Sequence, residues 1–188
     1  MGLRPIKFRR DRRRRTVALP LRRAPDAAKQ LSKLLGQNGA MGIPMNVTGY
    51  EISTDQDRLD VDVIFRFLSE ESYWAPGISR TVVERSIDNS LCFGVYHGEA
   101  QVGFARIVTD KSTFALVADV FILEPHRGKG LSKWLMHEVI EHPDLQGLRR
   151  LLLLTSDAHS LYAQFGFTEI GNSWRFMELL SPDGYGRT

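Results

Sequence analysis

Apolar and polar residues alternate along this chain with two different periods, which separate predicted strands from predicted helices. A period of two predicts a short strand over residues 47–53, and intervals of three and four predict helices over residues 58–69 and 79–89. The first helix places its larger apolar side chains on one face, namely Leu59, Val63, Ile64, Phe67 and Leu68. Both helices therefore need a partner surface that covers an apolar face.

Three consecutive strands are predicted in the middle of the chain. Residues 91–96 are mostly apolar, and a glycine-containing turn at residues 97–99 leads into a strand over residues 101–109. Residues 114–123 are apolar except for Asp119, so we expect them to form the central buried strand. An aspartate inside such a strand needs a partner for its charge or an altered pKa.

The second half of the sequence continues with helices and strands in alternation. Residues 130–141 predict a helix that ends before a proline, and residues 148–155 contain four consecutive leucines that predict a buried strand. Residues 158–165 predict a short helix, and residues 176–180 a last strand. The resulting order, β-α-α-β-β-β-α-β-α-β, indicates the α/β class, with a mixed sheet covered by helices on both faces.

The distribution of charge divides the chain into two parts. Residues 1–44 hold twelve Lys or Arg and two Asp, a net charge of +10, whereas all 188 residues together carry +3. Residues 45–188 therefore carry −7. Because blocks of like charge repel and the first 44 residues include four prolines, we predict a basic, disordered extension there. Residues 45–188 are expected to form one domain.

Three interpretations of residues 1–44 stay open. They are a solvated tail without a task, sequence upstream of a true start at Met41 or Met45, or an arm that binds nucleic acid or another anionic surface. Nucleic acid is expected only there. No stretch reaches the ~20 apolar residues that span a bilayer, and no secretion signal is visible, so we expect a cytoplasmic protein without membrane contact. A homodimer is left open.

The single cysteine and the spacing of the histidines bear on two further kinds of site. Cys92 has no second cysteine for an intrachain disulfide, and its apolar neighbours in residues 91–95 predict a buried, inert thiol rather than a nucleophile. No spacing of Cys and His typical of a metal site occurs. We therefore expect no metal.

A glycine-rich loop between the central strand and the next helix is the clearest chemical signal. Residues 127–132 are Arg-Gly-Lys-Gly-Leu-Ser. Glycines let an anion approach the backbone, and the free N–H groups of a helix start favour negative charge. The pattern predicts a phosphate or pyrophosphate site, and the alternative is a turn that only begins the helix. The spacing excludes a P-loop and the dinucleotide-binding glycine pattern.

Two segments resemble the motifs of one known family. Residues 120–135 resemble motif A of the GNAT superfamily of N-acetyltransferases, Arg/Gln-x-x-Gly-x-Gly/Ala. Arg127 fills the first position and Gly130 the fourth, whereas Ser132 stands where Gly or Ala is usual. Residues 158–167 resemble motif B, Ala-x-x-Leu-Tyr-x-x-x-Gly-Phe. The resemblance covers the predicted domain and does not include the basic extension. Within the family, the chain is similar to a bacterial single-domain subgroup.

The resemblance implies both a fold and a co-substrate. The fold is the GNAT acyl-CoA N-acyltransferase fold, a central, mostly antiparallel sheet that is splayed between strands 4 and 5 and has helices on both faces. The co-substrate is acetyl-CoA, held by the end of strand 4 and by the loop that follows it. The residues expected to bind acetyl-CoA are Val120, Phe121, Ile122, Arg127, Gly128, Lys129, Gly130, Leu131 and Ser132.

The resemblance also implies direct attack of an amine on the thioester, which requires two proton transfers. Tyr162 matches the tyrosine of motif B and is expected to donate a proton to the leaving thiolate. Its alternative role is packing, with a hydrogen bond to the sulfur or a water. Some family members carry a glutamate early in strand 4, where this chain has Leu116. Asp119 is then the candidate base, and a structural hydrogen-bond acceptor is its alternative role.

The acceptor pocket is expected between the loop after the first helix and the strands before motif A. Its candidate residues are Tyr73, Trp74 and Arg106, because an aromatic pair can hold an amine by cation–π contact. The alternative for Trp74 is packing within its loop. The predicted function is an N-acetyltransferase that acts on an amine of a small molecule or peptide. The alternative function is an acyl-CoA-binding regulatory module without efficient turnover.

Overall fold

The computed structural model describes residues 46–181, so the predictions for the basic extension and for residues 182–188 lie outside the described residues. The strands are β1 (Tyr50–Ser53), β2 (Leu91–His97), β3 (Ala100–Thr109), β4 (Phe114–Ile122) and β5 (Arg150–Leu153). The helices are α1 (Val61–Arg66), which continues into a π-helical turn (Phe67–Glu71), α2 (Arg80–Asp88), α3 (Leu131–Glu141) and α4 (His159–Ala163). No helix within this part is both long and apolar enough to cross a bilayer. The cytoplasmic location stays a prediction.

The sheet follows the chain order β1-β2-β3-β4-β5. The first four strands pair antiparallel, and β4 pairs parallel with β5 after the crossover through α3. The short turn between β2 and β3 contains Gly98 with a φ of 61°, as the predicted hairpin requires. The prediction of a mixed, mostly antiparallel sheet is therefore confirmed.

Strands β4 and β5 are paired over only part of their length. Their register joins Phe114 to Arg150 and ends with Val117 opposite Leu153. Beyond Val117, β4 continues for five residues beside β3 alone. This confirms the predicted splay between strands 4 and 5. It also leaves the backbone N–H and C=O groups on one side of β4 available to another molecule.

Each face of the sheet is covered by helices, as predicted. On one face α3 packs through Leu135 and Val139, which are fully buried against the strands. On the other face α1 and α2 cover Phe104 and Phe121. Phe67, at the end of α1, stacks on Phe121 with ring centroids 3.9 Å apart. The end of α1 is therefore held against the same part of β4 that separates from β5.

Cys92 lies in the core beneath α1 and α2 and is 1% exposed. Burial raises the pKa of its thiol to about 12. Because the thiolate is the reactive form, a thiol with this pKa is inert at neutral pH. The prediction of a buried, unreactive cysteine is confirmed.

The predicted strand over residues 176–180 is wrong. A turn at Ser173–Arg175 precedes this segment, and Phe176 then lies beneath the guanidinium of Arg150 at 5.0 Å. Met177 and Leu179 are fully exposed, and within residues 46–181 the outer edge of β5 pairs with no other strand. The local apolar pattern predicts a strand because it contains no information about whether a neighbouring edge is reached.

The close approach of β3 and β4 at Gly103 provides a test of the fold. A Cβ at this position would lie 2.9 Å from the backbone oxygen of Phe121 and 3.2 Å from Cβ of Val95. We expect Gly103→Ala to lower the free energy of unfolding in urea by about 1–3 kcal/mol, because the strands must move apart. Gly171→Ala, whose Cβ meets nothing within 4 Å, is the control and should change it little. Equal effects of the two substitutions would contradict this packing.

Candidate active site

A cavity of about 850 Å³ opens where β4 and β5 separate. Its walls are the second half of β4, the loop into α3, the loop from β5 to α4, and the segment that follows α1. Ligand-binding cavities have volumes of about 300–1,000 Å³. Of the predicted site residues, the cavity walls include Tyr73, Trp74, Arg106, Asp119, Val120, Phe121, Ile122, Arg127, Gly128, Gly130, Leu131, Ser132 and Tyr162.

The glycine-rich loop forms one end of the cavity. Gly128 and Gly130 have φ values of 77° and 81°, a conformation that glycine adopts without steric cost. Gly130 caps α3, and the N–H groups from Gly128 to Ser132 donate to no group among the described residues. A row of free N–H groups at a helix start is suited to a phosphate or pyrophosphate.

The two basic residues of this loop point in different directions. Arg127 lines the cavity, and its Nε donates to the backbone oxygen of Ile122 at 2.9 Å. Lys129 does not line the cavity, because its Nζ donates to the hydroxyl of Tyr50 at 3.0 Å and to the backbone oxygen of Pro125 at 3.2 Å. The geometry thus gives Arg127 the better position beside an anion in the cavity.

His126 is a cavity residue that the sequence analysis missed. Its Nδ1 lies 2.8 Å from the hydroxyl of Tyr50, and its ring is 5.6 Å from that of His97. Partial burial and the charges of Lys129 and His97 lower the pKa of His126. A neutral imidazole at neutral pH is the consequence. No sequence signal identified it, because the contact with β1 joins residues that are 76 positions apart.

A β-bulge bends β4 at the entrance to the cavity. Phe121 faces Phe104 and Ala118 faces Arg106, so two residues of β4 lie opposite one residue of β3. Asp119 is in the bulge with a φ of 51°. Aspartate is among the few residue types that adopt this left-handed conformation with some frequency. The bulge changes the direction of β4 beside the point where pairing with β5 ends.

Asp119 joins two of the predicted acceptor residues. Its carboxylate accepts a hydrogen bond from Nε of Arg106 at 2.6 Å and another from Nε1 of Trp74 at 3.1 Å. The Asp119 side chain is only 9% exposed, and Arg106 also donates to the hydroxyl of Ser90 at 3.3 Å. Each carboxylate oxygen therefore has a donor. These contacts favour the structural-acceptor alternative for Asp119 over the role of base.

Tyr162 lies in α4 with its side chain against the cavity and is 8% exposed. Its ring packs edge-on against Phe167 at 5.9 Å, and its hydroxyl bonds to no residue within 46–181. Burial, followed by the nearby charges of Tyr73 and Asp157, raises the pKa of Tyr162 to about 12. The phenol thus keeps its proton at neutral pH and can donate it to a group that enters the cavity.

Tyr73 bridges two walls of the cavity. Its hydroxyl accepts a hydrogen bond from the N–H of Ser156 at 3.1 Å and donates to Asp157 at 3.3 Å. An aspartate just before a helix, such as Asp157, commonly caps it, but α4 begins at His159 without a side-chain cap bond. Thr155 instead accepts the N–H of Ala158 at 3.0 Å, which leaves Asp157 in the cavity wall.

Glu71 is a third carboxylate of the cavity wall, in addition to Asp119 and Asp157, and the sequence analysis missed it. It ends the π-helical turn after α1 and is exposed. The sequence gives no sign of its position, because the wider π-helical turn changes the face on which the last residue lies. Within the described residues, no group of three His, Cys, Asp or Glu lies close enough to hold a metal ion.

Comparison with known proteins assigns this arrangement to a family. Residues 88–169 match the family model described as an acetyltransferase (GNAT) domain. A Gibberella zeae protein provisionally named an acetyltransferase is 33% identical, over 64% of this chain and 81% of that protein. A crystallised GNAT family member from Xanthomonas campestris pv. campestris is 48% identical over 76% of this chain and 100% of its own, with a TM-score of 0.72. This chain belongs to the GNAT family of acetyltransferases.

Membership of the GNAT family confirms the predicted enzyme class, an acyltransferase. It also accounts for the fold, because the splayed mixed sheet is shared with the Xanthomonas structure. An acetyltransferase from Clostridium acetobutylicum, crystallised with acetyl-CoA, is 16% identical with a TM-score of 0.54, which shows likeness of fold alone. GNAT enzymes use acetyl-CoA, and the residues that bind it in this chain are a matter for proposal.

The pair of Asp119 and Arg106 gives a testable stability difference. Asp119→Asn keeps the shape and tolerates the positive φ, but leaves a largely buried guanidinium without its counter-charge. We expect a loss of roughly 1–3 kcal/mol in the free energy of unfolding, measured in urea. Asp62→Asn, which removes the exposed partner of Arg80, is the control and should be nearly neutral. An Asp119→Asn variant as stable as the control would show that the pair is not structural.

Proposed function

We propose that this enzyme moves an acetyl group from acetyl-CoA to a primary amine of a small molecule or peptide, by direct attack of the amine on the thioester. One observation carries the proposal: a single cavity connects the free N–H groups of the glycine loop with the unpartnered hydroxyl of Tyr162. A thioester of a phosphorylated carrier needs an anion site for its phosphates and a proton donor for the thiolate that leaves, and these are the two groups of this cavity.

The residues of the cavity fit acetyl-CoA at three places. The N–H groups of Gly128 to Ser132, with Arg127 beside them, are proposed to hold the pyrophosphate. Val120, Phe121 and Ile122 lie where β4 has no partner on the β5 side, so their backbone is proposed to hydrogen-bond the pantetheine amides. Lys129, which lies beside Tyr50 at the outer rim, is proposed to contribute its positive charge to acetyl-CoA binding.

Tyr162 is proposed to donate a proton, or a strong hydrogen bond, to the thiolate that leaves. Its raised pKa keeps the phenol protonated, and its hydroxyl has no competing partner among the described residues. Acetyl-CoA supplies the activated thioester, and the enzyme supplies position, exclusion of water and this donor. Asp119 is proposed as a positioning residue that holds Trp74 and Arg106 at the acceptor end.

Turnover separates this proposal from the alternative of a binding module. The measurement is release of free CoA thiol from acetyl-CoA in the presence of a panel of primary amines. An enzyme releases thiol at a rate that depends on the amine concentration and yields the N-acetylated product by mass. Tight acetyl-CoA binding without release in the presence of any amine would favour the module instead.

Removal of the Tyr162 hydroxyl tests the proton donor. We expect Tyr162→Phe to lower kcat roughly 10- to 100-fold while the Kd of acetyl-CoA changes less than kcat, because the hydroxyl acts on the leaving group. Tyr96→Phe is the matched control, since that hydroxyl is buried and unpartnered but outside the cavity wall. An unchanged kcat in Tyr162→Phe would exclude the donor role.

The pH dependence of kcat gives an independent test. The protonated phenol is the active form. With a pKa of about 12, Tyr162 keeps its proton at neutral and moderately alkaline pH and loses it only as the pH approaches 12. We therefore expect no fall in kcat between about pH 7 and 10 from ionisation of Tyr162. A descending limb in that range that is absent from Tyr162→Phe would contradict the shifted pKa.

A further inference from the structure

The ionisable groups of the cavity come from different parts of its wall. Arg127 and the free N–H groups belong to the glycine loop, which is suited to an anion. Glu71 belongs to the segment after α1 and Asp157 to the loop after β5, and neither forms a salt bridge within residues 46–181. These parts of the wall therefore favour ligand groups of opposite charge.

Arg106, a cation of the cavity wall at the proposed acceptor end, is already neutralised. Its guanidinium lies 2.6 Å from the carboxylate of Asp119, and the pair is only 18% and 9% exposed. The charges that remain for a ligand are those of Glu71 and Asp157. One oxygen of Asp157 accepts from Tyr73, and the other has no donor among the described residues.

Aromatic rings stand beside these carboxylates. Tyr73 and Trp74 meet edge to face at 5.0 Å, and Trp74 lies 6.2 Å from Phe67. Trp74 is 37% exposed and lines the cavity. Aromatic faces next to carboxylates attract ammonium groups, because the ring quadrupole adds to the attraction of the charges. Tyr162, which is 8% exposed and whose hydroxyl has no partner among the described residues, lines the same cavity.

We infer that the acceptor is a small molecule with two amino groups, recognised through Glu71 and Asp157. This inference rests on the proposed function, because it names the substrate class of that same cavity. One amino group must lose its charge to attack the thioester, so a single carboxylate would be sufficient for a monoamine. The second carboxylate remains for a group that stays cationic throughout the reaction.

The bridge at Tyr73 favours a small acceptor over a polypeptide. Its bonds to Ser156 and Asp157 connect the segment after α1 to the loop after β5, across the cavity. An extended peptide would have to displace this bridge, whereas a slender diamine would not. The reacting amine would lie near Tyr162, whose pKa the charge of Asp157 raises.

Three amines that each contain four carbons test the inference. They are 1,4-diaminobutane, butylamine and 4-aminobutanoate, which carry at the far end a positive charge, none and a negative charge. We expect kcat/KM for the diamine to exceed that for butylamine by about tenfold or more, because only the diamine has a second cation that can pair with a carboxylate. The aminobutanoate should be the poorest substrate, since its carboxylate meets like charge.

The variant Glu71→Gln links this preference to its residue. We expect it to lower kcat/KM for the diamine about tenfold and to leave butylamine within about twofold, with acetyl-CoA binding unchanged. Glu70→Gln, a neighbouring exposed carboxylate outside the cavity wall, is the control. Turnover of all three amines at equal kcat/KM, or faster turnover of a lysine-containing peptide, would overturn the inference and leave the proposed function standing. No turnover with any amine would overturn both.

Discussion

Strand β4 pairs with β5 over four residues and then turns away, because it has one more residue than β3 opposite Ala105. An extra residue bends its strand and increases the local twist. The consequences are a backbone edge without a partner, a gap between two parallel strands, and a loop whose N–H groups face that gap. The glycine loop and the Asp119 side of the cavity, which are proposed to meet the anion and the acceptor, both depend on this one irregularity.

The conformation of Asp119 carries a cost that its neighbours offset. A non-glycine residue with a φ of 51° is strained by about 1–3 kcal/mol. A largely buried charge-assisted hydrogen bond stabilises the fold by an amount similar to this strain, and Asp119 accepts one such bond from Arg106. A second donor, Trp74, comes from the segment after α1. The bulge is therefore coupled to the position of that segment, and through Phe67 and Phe121 to the core beneath it.

Much of the fold follows from local pattern, because the strands between residues 91 and 122 are mostly apolar and the turn between β2 and β3 carries Gly98. The glycine loop could also be predicted, since a helix start with glycines has a direct physical meaning. Two features could not be predicted from local pattern. Whether residues 176–180 form a strand depends on a neighbouring strand edge, and the direction of the Lys129 side chain depends on Tyr50, which is 79 positions away. Glu71 and His126 could not be predicted as cavity residues either, because Glu71 ends a π-helical turn and His126 contacts Tyr50, which is 76 positions away.

A carboxylate that holds a strand in a strained shape is poorly suited to accept protons in every catalytic cycle. Protonation of Asp119 would remove the charge that Arg106 faces and weaken the contact that stabilises the bulge. Glu71 and Asp157 are under no such constraint, because they are exposed and hold no cation within the described residues. With leucine at position 116, the carboxylates of the cavity wall thus differ in their surroundings: Asp119 is tied to Arg106 and Trp74 and maintains the shape of β4, whereas Glu71 and Asp157 are the ones proposed to meet a charged acceptor.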